Sequence, residues 1–291
     1  MAAAASADVA GPAAIRQFRR IVGRSLRYVV LIVVAGVIVV PLAYAILGGF
    51  RDNGQIGNAP LGWPDPWVPT NYTEVLASAD FWRQLGNSAL IAAISTFSVV
   101  ALSAMAAFAF ARMTFPGREV LFTFFALGLL FPTAVAILPL YILVRGLGLL
   151  DSPLGVAIPQ AAFQLPLTIL ILRPFFRSIP AELEDAALID GCGPVGFFWR
   201  VLLPLSRPAL ATVAVLAVVT SWNAFLLPLV VLSSADQWTL TLGVTNFTTQ
   251  YTSDTARILA FTVLAMVPAL VFYAIAERQL IGGLTSGAVK G

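Results

Sequence analysis

Few side chains in this sequence are suited to catalysis or metal binding. The 291 residues include no histidine and one cysteine, Cys192, and the single lysine is Lys290. A histidine-based zinc or haem site and an internal disulfide are therefore excluded. A phosphate-binding P-loop is excluded as well, because it requires a Gly-Lys-Ser/Thr sequence. We expect no metal site and no cofactor bound by this chain itself.

The most informative charged and small residues lie in a polar segment, 178–207. Its acidic residues follow Pro180, which suits a first helical turn, where the helix dipole favours negative charge. Gly191 and Gly193 are expected to end this helix by adopting a positive φ, and Pro194 is expected to open the next one. Helical spacing predicts one face on which two adjacent alanines let another protein approach the backbone. The residues of this face are Leu183, Ala186, Ala187 and Asp190.

Polar side chains within the long apolar stretches form a second group. These residues are Asn87, Gln160, Gln164, Ser221 and Asn223. A polar group in a bilayer is costly unless it is paired or faces a cavity, so each marks a candidate position on a solute path. Amides both donate and accept hydrogen bonds, which suits hydroxyl-rich solutes. The alternative is a hydrogen bond between helices, worth about 1 kcal/mol.

The composition indicates what must position these residues. Hydrophobic residues make up 59% of the chain, charged residues 11%, and the mean hydropathy is +0.90. A soluble domain would be about one quarter charged. We therefore predict an all-α integral membrane protein with six transmembrane helices of about 20 residues each. The predicted helices are 28–47, 88–111, 120–144, 154–176, 209–232 and 256–276.

Basic residues predict the orientation of these helices. Thirteen of the seventeen lysines and arginines fall before the first stretch, in the second and fourth connections, or in the tail. Since basic loops stay in the cytoplasm, both termini are expected there. The predicted layout is a cytoplasmic tail 1–27, an extracytoplasmic loop 48–86, a five-helix core 87–276 and a cytoplasmic tail 277–291. The arginines are spread rather than clustered, which argues against nucleic-acid binding.

The segment 178–207 resembles the EAA loop of ABC-importer permeases, which couples them to an ATPase. The family's pattern of residues is matched in type and spacing by Asp185, Ala186, Ala187, Gly191, Val201, Leu203 and Pro204. Asp185 replaces a glutamate and Val201 an isoleucine, so either Glu184 or Asp185 is the candidate for the carboxylate that contacts the ATPase. Residues 109–118, 139–149, 222–229 and 283–291 also resemble carbohydrate permeases of the maltose-transporter MalG type.

This resemblance implies a type I ABC-importer permease fold and a subunit of a sugar importer rather than an enzyme. The implied partners are a second, MalF-like permease, an ABC ATPase dimer that binds ATP and Mg, and an extracytoplasmic solute-binding protein. The implied location is the bacterial plasma (inner) membrane, where the chain contacts membrane lipid. In such systems the C-terminal residues, here Gly287, Lys290 and Gly291, also reach the ATPases.

Three other hypotheses predict different features. An ion-coupled secondary transporter would need acidic or basic residues deep within the membrane helices. The predicted helices carry only Arg173 and Arg257, each close to a helix end. A membrane-embedded enzyme would need acid–base or metal-binding groups, which are also lacking. The third hypothesis is an ABC-importer permease whose substrate is glycerol-3-phosphate or an oligosaccharide.

Overall fold

The computed structural model describes the backbone of residues 12–249 and 251–288 and the side chains of residues 23–249 and 251–276. In this part of the chain the only β-pairing is an isolated bridge between Thr248 and Ser253, so the predicted all-α class is confirmed. The α-helices are α1 (Pro12–Gly48), α2 (Asn53–Asn58), α3 (Thr70–Ala77), α4 (Ala79–Arg112), α5 (Arg118–Leu127), α6 (Ile137–Gly146), α7 (Pro153–Ser178), α8 (Glu182–Ile189), α9 (Pro194–Phe197), α10 (Leu203–Leu205), α11 (Arg207–Trp222), α12 (Leu226–Val231), α13 (Leu240–Gly243) and α14 (Thr255–Ala288).

Four helices in the described part of the chain are long and apolar enough to cross a bilayer. They are Gly23–Gly48 within α1, Ala79–Arg112, Pro153–Ser178 and Thr255–Ala276 within α14. Each contains one predicted stretch: 28–47, 88–111, 154–176 or 256–276. The predicted count of six continuous helices is not confirmed, because the stretches 120–144 and 209–232 are each divided between two shorter helices.

The stretch 120–144 is interrupted at Pro132. After α5 a short 3-10 turn, Gly128–Leu130, leads to Phe131, whose φ of −86° and ψ of 115° are extended. A proline disfavours helical backbone in the residue before it, so the helix does not continue through Phe131. Gly128 lets the interruption approach α7 closely, because a Cβ there would lie 2.9 Å from Cγ of Pro166.

The stretch 209–232 is interrupted between α11 and α12. Phe225 leaves the helical conformation with φ −121° and ψ −53°, and α12 begins at the next residue. Pro228 lies in the first turn of α12, where its missing N–H breaks no helical hydrogen bond. At the other end of α11, the segment Pro194–Leu205 meets the helix at a bend of 77°. If this segment and α11 are counted as a single membrane span, the number of candidate spans rises from four to five.

The helices α4 and α7 form the centre of the bundle and run in the same direction. Asn87 and Asp151, near the starts of these helices, both bind the segment 233–238. Arg112, at the end of α4, donates a hydrogen bond to the carbonyl of Ile179, which follows α7. Small side chains on α4 let the helices approach closely. The buried residues that pack there are Ala104, Ala107, Phe108, Leu172 and Phe176.

A compact segment connects α1 to α4 at the same end as the starts of α4 and α7. Arg51 is only 2% exposed, and its guanidinium donates hydrogen bonds to the backbone carbonyls of Gln55, Ala59 and Pro60. Asn71 donates a hydrogen bond to the carbonyl of Arg51 itself. Buried donors bonded to carbonyls fix the path of a segment that has little regular structure of its own.

Asp151 joins the loop before α7 to the segment after α12. Its carboxylate accepts hydrogen bonds from the backbone N–H groups of Ser233 and Ser234 and, at 2.6 Å, from the Ser234 hydroxyl. Asp151 has a positive φ of 57°, a conformation that aspartate tolerates better than most residues. The hydrogen bonds from Ser234 are the main reason that the pKa of Asp151 lies below its ordinary value.

We expect Asp151→Asn to lower the unfolding temperature of the purified protein at pH 7.5. A neutral amide oxygen is a weaker acceptor than a carboxylate, and the cost is about 1 kcal/mol. Because the folded pKa is lowered, the carboxylate's contribution is present above the ordinary aspartate pKa and is lost as the pH falls through the folded value. The difference in unfolding temperature should therefore stay nearly constant from pH 7.5 to about pH 4 and shrink only as the pH falls further, below the ordinary aspartate pKa.

Asp80→Asn is the matched control for this change. Asp80 pairs with Arg83 on the surface, and such exposed pairs contribute little to stability. Equal unfolding temperatures for wild type and Asp151→Asn at every pH would contradict the role assigned to Asp151.

Candidate coupling loop and central cavity

The segment 178–207 folds as short helices joined by a tight turn. The first turn of α8 holds Glu182, Glu184 and Asp185. Gly191 follows the helix with a φ of 76°, and Pro194 opens α9. The prediction is confirmed for Gly191 and Pro194, but it is wrong for Gly193, whose φ is −65°.

The face predicted to meet another protein is only partly open. Leu183, Ala186 and Asp190 are exposed, but Ala187 is 8% exposed and packs into the core beside α4 and α7. In this subunit the face therefore presents Ala186, whereas Ala187 faces the bundle. Neighbouring residues of a helix point about 100° apart, so one alanine can face outward while the next faces the bundle.

The two candidate carboxylates of the loop have different surroundings. Glu184 lies 3.5 Å from the guanidinium of Arg112, whose side chain is only 9% exposed. Asp185 is exposed, and no ion pair is found for it among the described residues. Glu184 therefore holds the loop against the end of α4, whereas Asp185 is open to a binding partner.

The second half of the loop fastens it to the bundle. Phe197 and Leu202 are fully buried. Val201 and Leu203 are half-buried against the same core, and Pro204 is exposed. Sequence reasoning did not single out Phe197 or Leu202, because the segment 195–205 is apolar almost throughout and its composition does not show which residues are buried.

A cavity of about 410 Å³ lies where the two interrupted stretches meet the middle of α7. Its lining residues come from the segments 133–140, 160–164 and 220–227. The polar residues among them are Thr133, Gln160, Gln164, Thr220 and Asn223. Three of the predicted path residues therefore border one space. Thr133 and Thr220 were not predicted, but the position of Thr133 directly after Pro132 was an available signal.

The amide groups of this cavity have unused hydrogen-bond donors. Gln160 is 8% exposed, and its Oε1 accepts a hydrogen bond of 2.6 Å from the hydroxyl of Ser221. The Nε2 atoms of Gln160 and Gln164 are buried and have no partner among the described residues. A buried donor without a partner costs about 1–3 kcal/mol. Both Nε2 atoms are closed off from water in this conformation, so an amide must rotate before its donor can bond a hydroxyl group in the cavity.

Asn87 is not part of this group. Its side-chain amide donates hydrogen bonds of 2.8 and 3.0 Å to the carbonyls of Asp236 and Trp238. It therefore holds the segment 233–238 against α4 and does not border the cavity. Asn223 does border it, with its amide also bonded to the carbonyl of Val219.

Two further predictions concern the tail and metals. Gly287 lies where only the backbone is described, and Lys290 and Gly291 lie outside the described residues. Among the residues with described side chains, no three His, Cys, Asp or Glu residues come close enough together to hold a metal ion.

Comparison with known proteins identifies the family. Residues 99–279, more than half of the chain, match the family described as binding-protein-dependent transport system inner membrane component. The chain belongs to this family. The matched region includes α7, the loop 178–207 and every polar residue of the cavity.

Relatives extend the similarity to nearly the whole chain. The diacetylchitobiose uptake system permease protein NgcG of Streptomyces coelicolor is 33% identical over 91% of this chain and 89% of its own length. The trehalose transport system permease protein SugB of Mycobacterium tuberculosis is 39% identical over 76% of this chain and 81% of its own length. This chain is accordingly a transport permease and not an enzyme, as predicted.

A solved structure shows the same fold. It is a chain of a bacterial ABC transporter involved in the import of the acidic polysaccharide alginate, with a TM-score of 0.75 and 22% identity. The alignment covers 89% of this chain and 96% of the other. The predicted ABC-importer permease fold is therefore confirmed, apart from the count of six helices.

We expect Gly191→Ala to destabilise the permease by about 1–2 kcal/mol, because an L-residue with a Cβ is strained at a φ of 76°. Gly193→Ala is the matched control, since Gly193 has an ordinary φ of −65°. A Cβ at either position meets no atom within 4 Å, so the two variants differ in backbone strain rather than crowding. Thermal unfolding of both proteins tests this, and equal unfolding temperatures would contradict it.

Proposed function

We propose that this permease forms half of the translocation path of an ATP-driven importer for a carbohydrate. The proposal rests on the cavity bordered by two interrupted helices and by the amides of Gln160 and Gln164, whose Nε2 donors have no partner among the described residues. Amides suit a solute rich in hydroxyl groups. The names of the relatives, which refer to diacetylchitobiose and trehalose, support the same substrate class.

Two interrupted segments are proposed to complete the membrane domain. The helices α5 and α6 together make one crossing, and α11 and α12 together make another. With the four long helices this gives six crossings. Non-helical backbone is tolerated at membrane depth only where protein buries it or it lines a water-filled cavity, and both interruptions border the cavity. The first crossing is then 28–47, the outer loop 48–86, and the core of five crossings 87–276.

The proposed location is the bacterial inner membrane, with both termini and the loop 178–207 in the cytoplasm. The distribution of basic residues supports this orientation, because thirteen of the seventeen would lie on the cytoplasmic side.

The proposed assembly contains a second, MalF-like permease, an ATPase dimer that binds ATP and Mg, and an extracytoplasmic solute-binding protein. The family's description as binding-protein-dependent supports the last of these. The tail residues Gly287, Lys290 and Gly291 are proposed to contact the ATPases as well.

We propose Asp185 as the carboxylate that contacts the ATPase. It is exposed, as its neighbour Ala186 is, whereas Glu184 is paired with Arg112. Ala186 leaves room for close approach, and the buried Ala187, Phe197 and Leu202 hold the loop firmly enough for it to transmit movement. ATPase closure would then rock the bundle between inward- and outward-facing states.

Reconstitution of the permease with its partner subunits in proteoliposomes tests the proposed function. We expect uptake of labelled trehalose or diacetylchitobiose to require internal ATP and the solute-binding protein, and to persist when ionophores abolish ion gradients. Uptake that followed the membrane potential without any ATPase would favour a secondary transporter and overturn the proposal.

The two neighbouring carboxylates should respond differently to neutralisation. We expect Asp185→Asn to lower ATP-driven uptake about five- to tenfold at unchanged thermal stability, because an interface charge contact is lost. Glu184→Gln should instead lower the unfolding temperature, because Arg112, with a side chain only 9% exposed, loses its partner. Uptake assays and thermal unfolding of both variants distinguish these roles, and the reverse pattern would assign the contact to Glu184.

We expect Gln164→Met to raise the substrate concentration for half-maximal transport about three- to tenfold. The change keeps the side-chain volume but removes a hydrogen bond worth about 0.5–1.5 kcal/mol. Asn87→Leu is the control, because Asn87 lies outside the cavity, and it should leave this concentration unchanged even if less protein folds. A shift of similar size in both variants would argue against the cavity as the substrate path.

A further inference from the structure

Three arginines surround one carboxylate at the end of the bundle that carries the coupling loop. Arg173 contacts Oε1 of Glu119 at 2.5 Å, Arg118 at 3.1 Å and Arg177 at 3.3 Å. All three guanidinium groups meet the same oxygen atom. We call Arg118, Arg173, Arg177 and Glu119 the arginine cluster.

One arginine of the cluster serves the fold. The Arg173 side chain is 7% exposed, donates a hydrogen bond to the carbonyl of Phe110 and lies 3.8 Å above the centre of the Phe122 ring. This arginine therefore ties α7 to α4 and α5. Its hydrogen bond also lowers the pKa of Glu119, so the carboxylate stays ionised at neutral pH.

The other two arginines are open to the surroundings. The side chains of Arg118 and Arg177 are 25% and 45% exposed. One carboxylate cannot neutralise three guanidinium groups, so the arginine cluster carries two positive charges in excess. An open pocket of about 400 Å³ lies on the Arg118 side of the cluster. Its lining includes Thr114, Gly117, Arg118 and the carboxylate Glu119, but not Arg177. The cluster thus offers both charge and space to an anion.

An apolar strip begins where the arginine cluster ends. Val120, Phe124 and Leu127 follow one another at helical spacing on α5 and are strongly exposed, Val120 at 76% and Phe124 at 71%. Arg177 lies in the last turn of α7, a helix that qualifies as a membrane span, so the cluster sits at the depth of lipid headgroups. A polar, positive end therefore meets an apolar strip at the membrane surface.

We propose that the arginine cluster and this strip bind one anionic phospholipid. The phosphate lies between Arg118 and Arg177, and an acyl chain follows Val120, Phe124 and Leu127 towards the membrane interior. Guanidinium groups bind phosphate through paired hydrogen bonds. The lipid also neutralises the excess charge that Glu119 leaves.

A phospholipid fits this surface better than a soluble anion does. A free phosphate would use the arginines but would leave the apolar strip without a function. The positive-inside rule explains why basic residues lie near the end of a membrane helix. It does not explain why three arginines contact the same carboxylate oxygen beside a pocket. Basic pockets at this depth bind anionic headgroups, and each arginine contributes roughly a fivefold change in binding.

The test measures lipid binding to the intact transporter complex by native mass spectrometry. The complex is delipidated in detergent and titrated with dioleoyl-phosphatidylglycerol or, separately, dioleoyl-phosphatidylcholine. We expect one phosphatidylglycerol per copy of this chain to bind at lower concentration than phosphatidylcholine. Each arginine removed in Arg118→Gln and Arg177→Gln should weaken that binding about fivefold.

Three comparisons make the outcome decisive. The double variant Arg118→Lys with Arg177→Lys keeps the charge and should retain most of the preference for phosphatidylglycerol. Arg207→Gln removes an exposed arginine from the start of α11, outside the cluster, and should change nothing. If the double glutamine variant does not fold, the single change at Arg177, the most exposed of the three, still tests the site.

Two results would overturn the proposal. Equal binding of phosphatidylglycerol to the wild type and the glutamine variants would show that the arginines do not hold the lipid. Displacement of phosphatidylglycerol by glycerol-1-phosphate as readily as by added lipid would show that the site takes a soluble anion and not a phospholipid.

Discussion

Backbone N–H and C=O groups have no water to bind inside a bilayer, and this constraint governs the arrangement of the chain. The four long helices satisfy most of their backbone groups internally, although each proline inside α1, α7 and α14 leaves one carbonyl without its helical N–H partner. The interruptions before Pro132 and at Phe225 leave carbonyl and amide groups outside regular helix. Both interruptions border the same cavity, together with the amides of α7. Because backbone groups must be satisfied, irregular backbone and polar side chains lie together around one cavity. The same groups are the ones that could hydrogen-bond a polar solute.

The helix α7 connects this cavity to the coupling loop. Its middle carries Gln160 and Gln164, its last turns carry Arg173 and Arg177, and the loop follows directly. Leu172 and Phe176 are fully buried in the cluster that also contains Phe197 and Leu202 of the loop. Close-packed side chains transmit displacement because they have little room to yield. A movement imposed on the loop would therefore reach the cavity through packed contacts along one helix.

Much of the fold and part of the candidate site could be predicted from the sequence. Apolar stretches indicated the four long helices, and the spacing from Asp185 to Pro204 identified the loop, because both signals are local. The interruptions were harder to predict, since Pro132 and Pro228 lie in stretches apolar enough for a continuous span. The separation of Asn87 from Gln160 could not be predicted, because it depends on the segment 233–238, which folds back onto α4 from far along the chain.

The coupling loop shows why neighbouring residues of the same type take different roles. The helix α8 has eight residues, too few to be stable alone in water. It must therefore be anchored to the bundle, and Ala187 and the Glu184–Arg112 pair supply the anchors. Since successive helical residues point about 100° apart, the anchors leave Ala186 and Asp185 facing outward. In each adjacent pair, of acids and of alanines, one residue therefore fixes the helix to the bundle and the other faces outward.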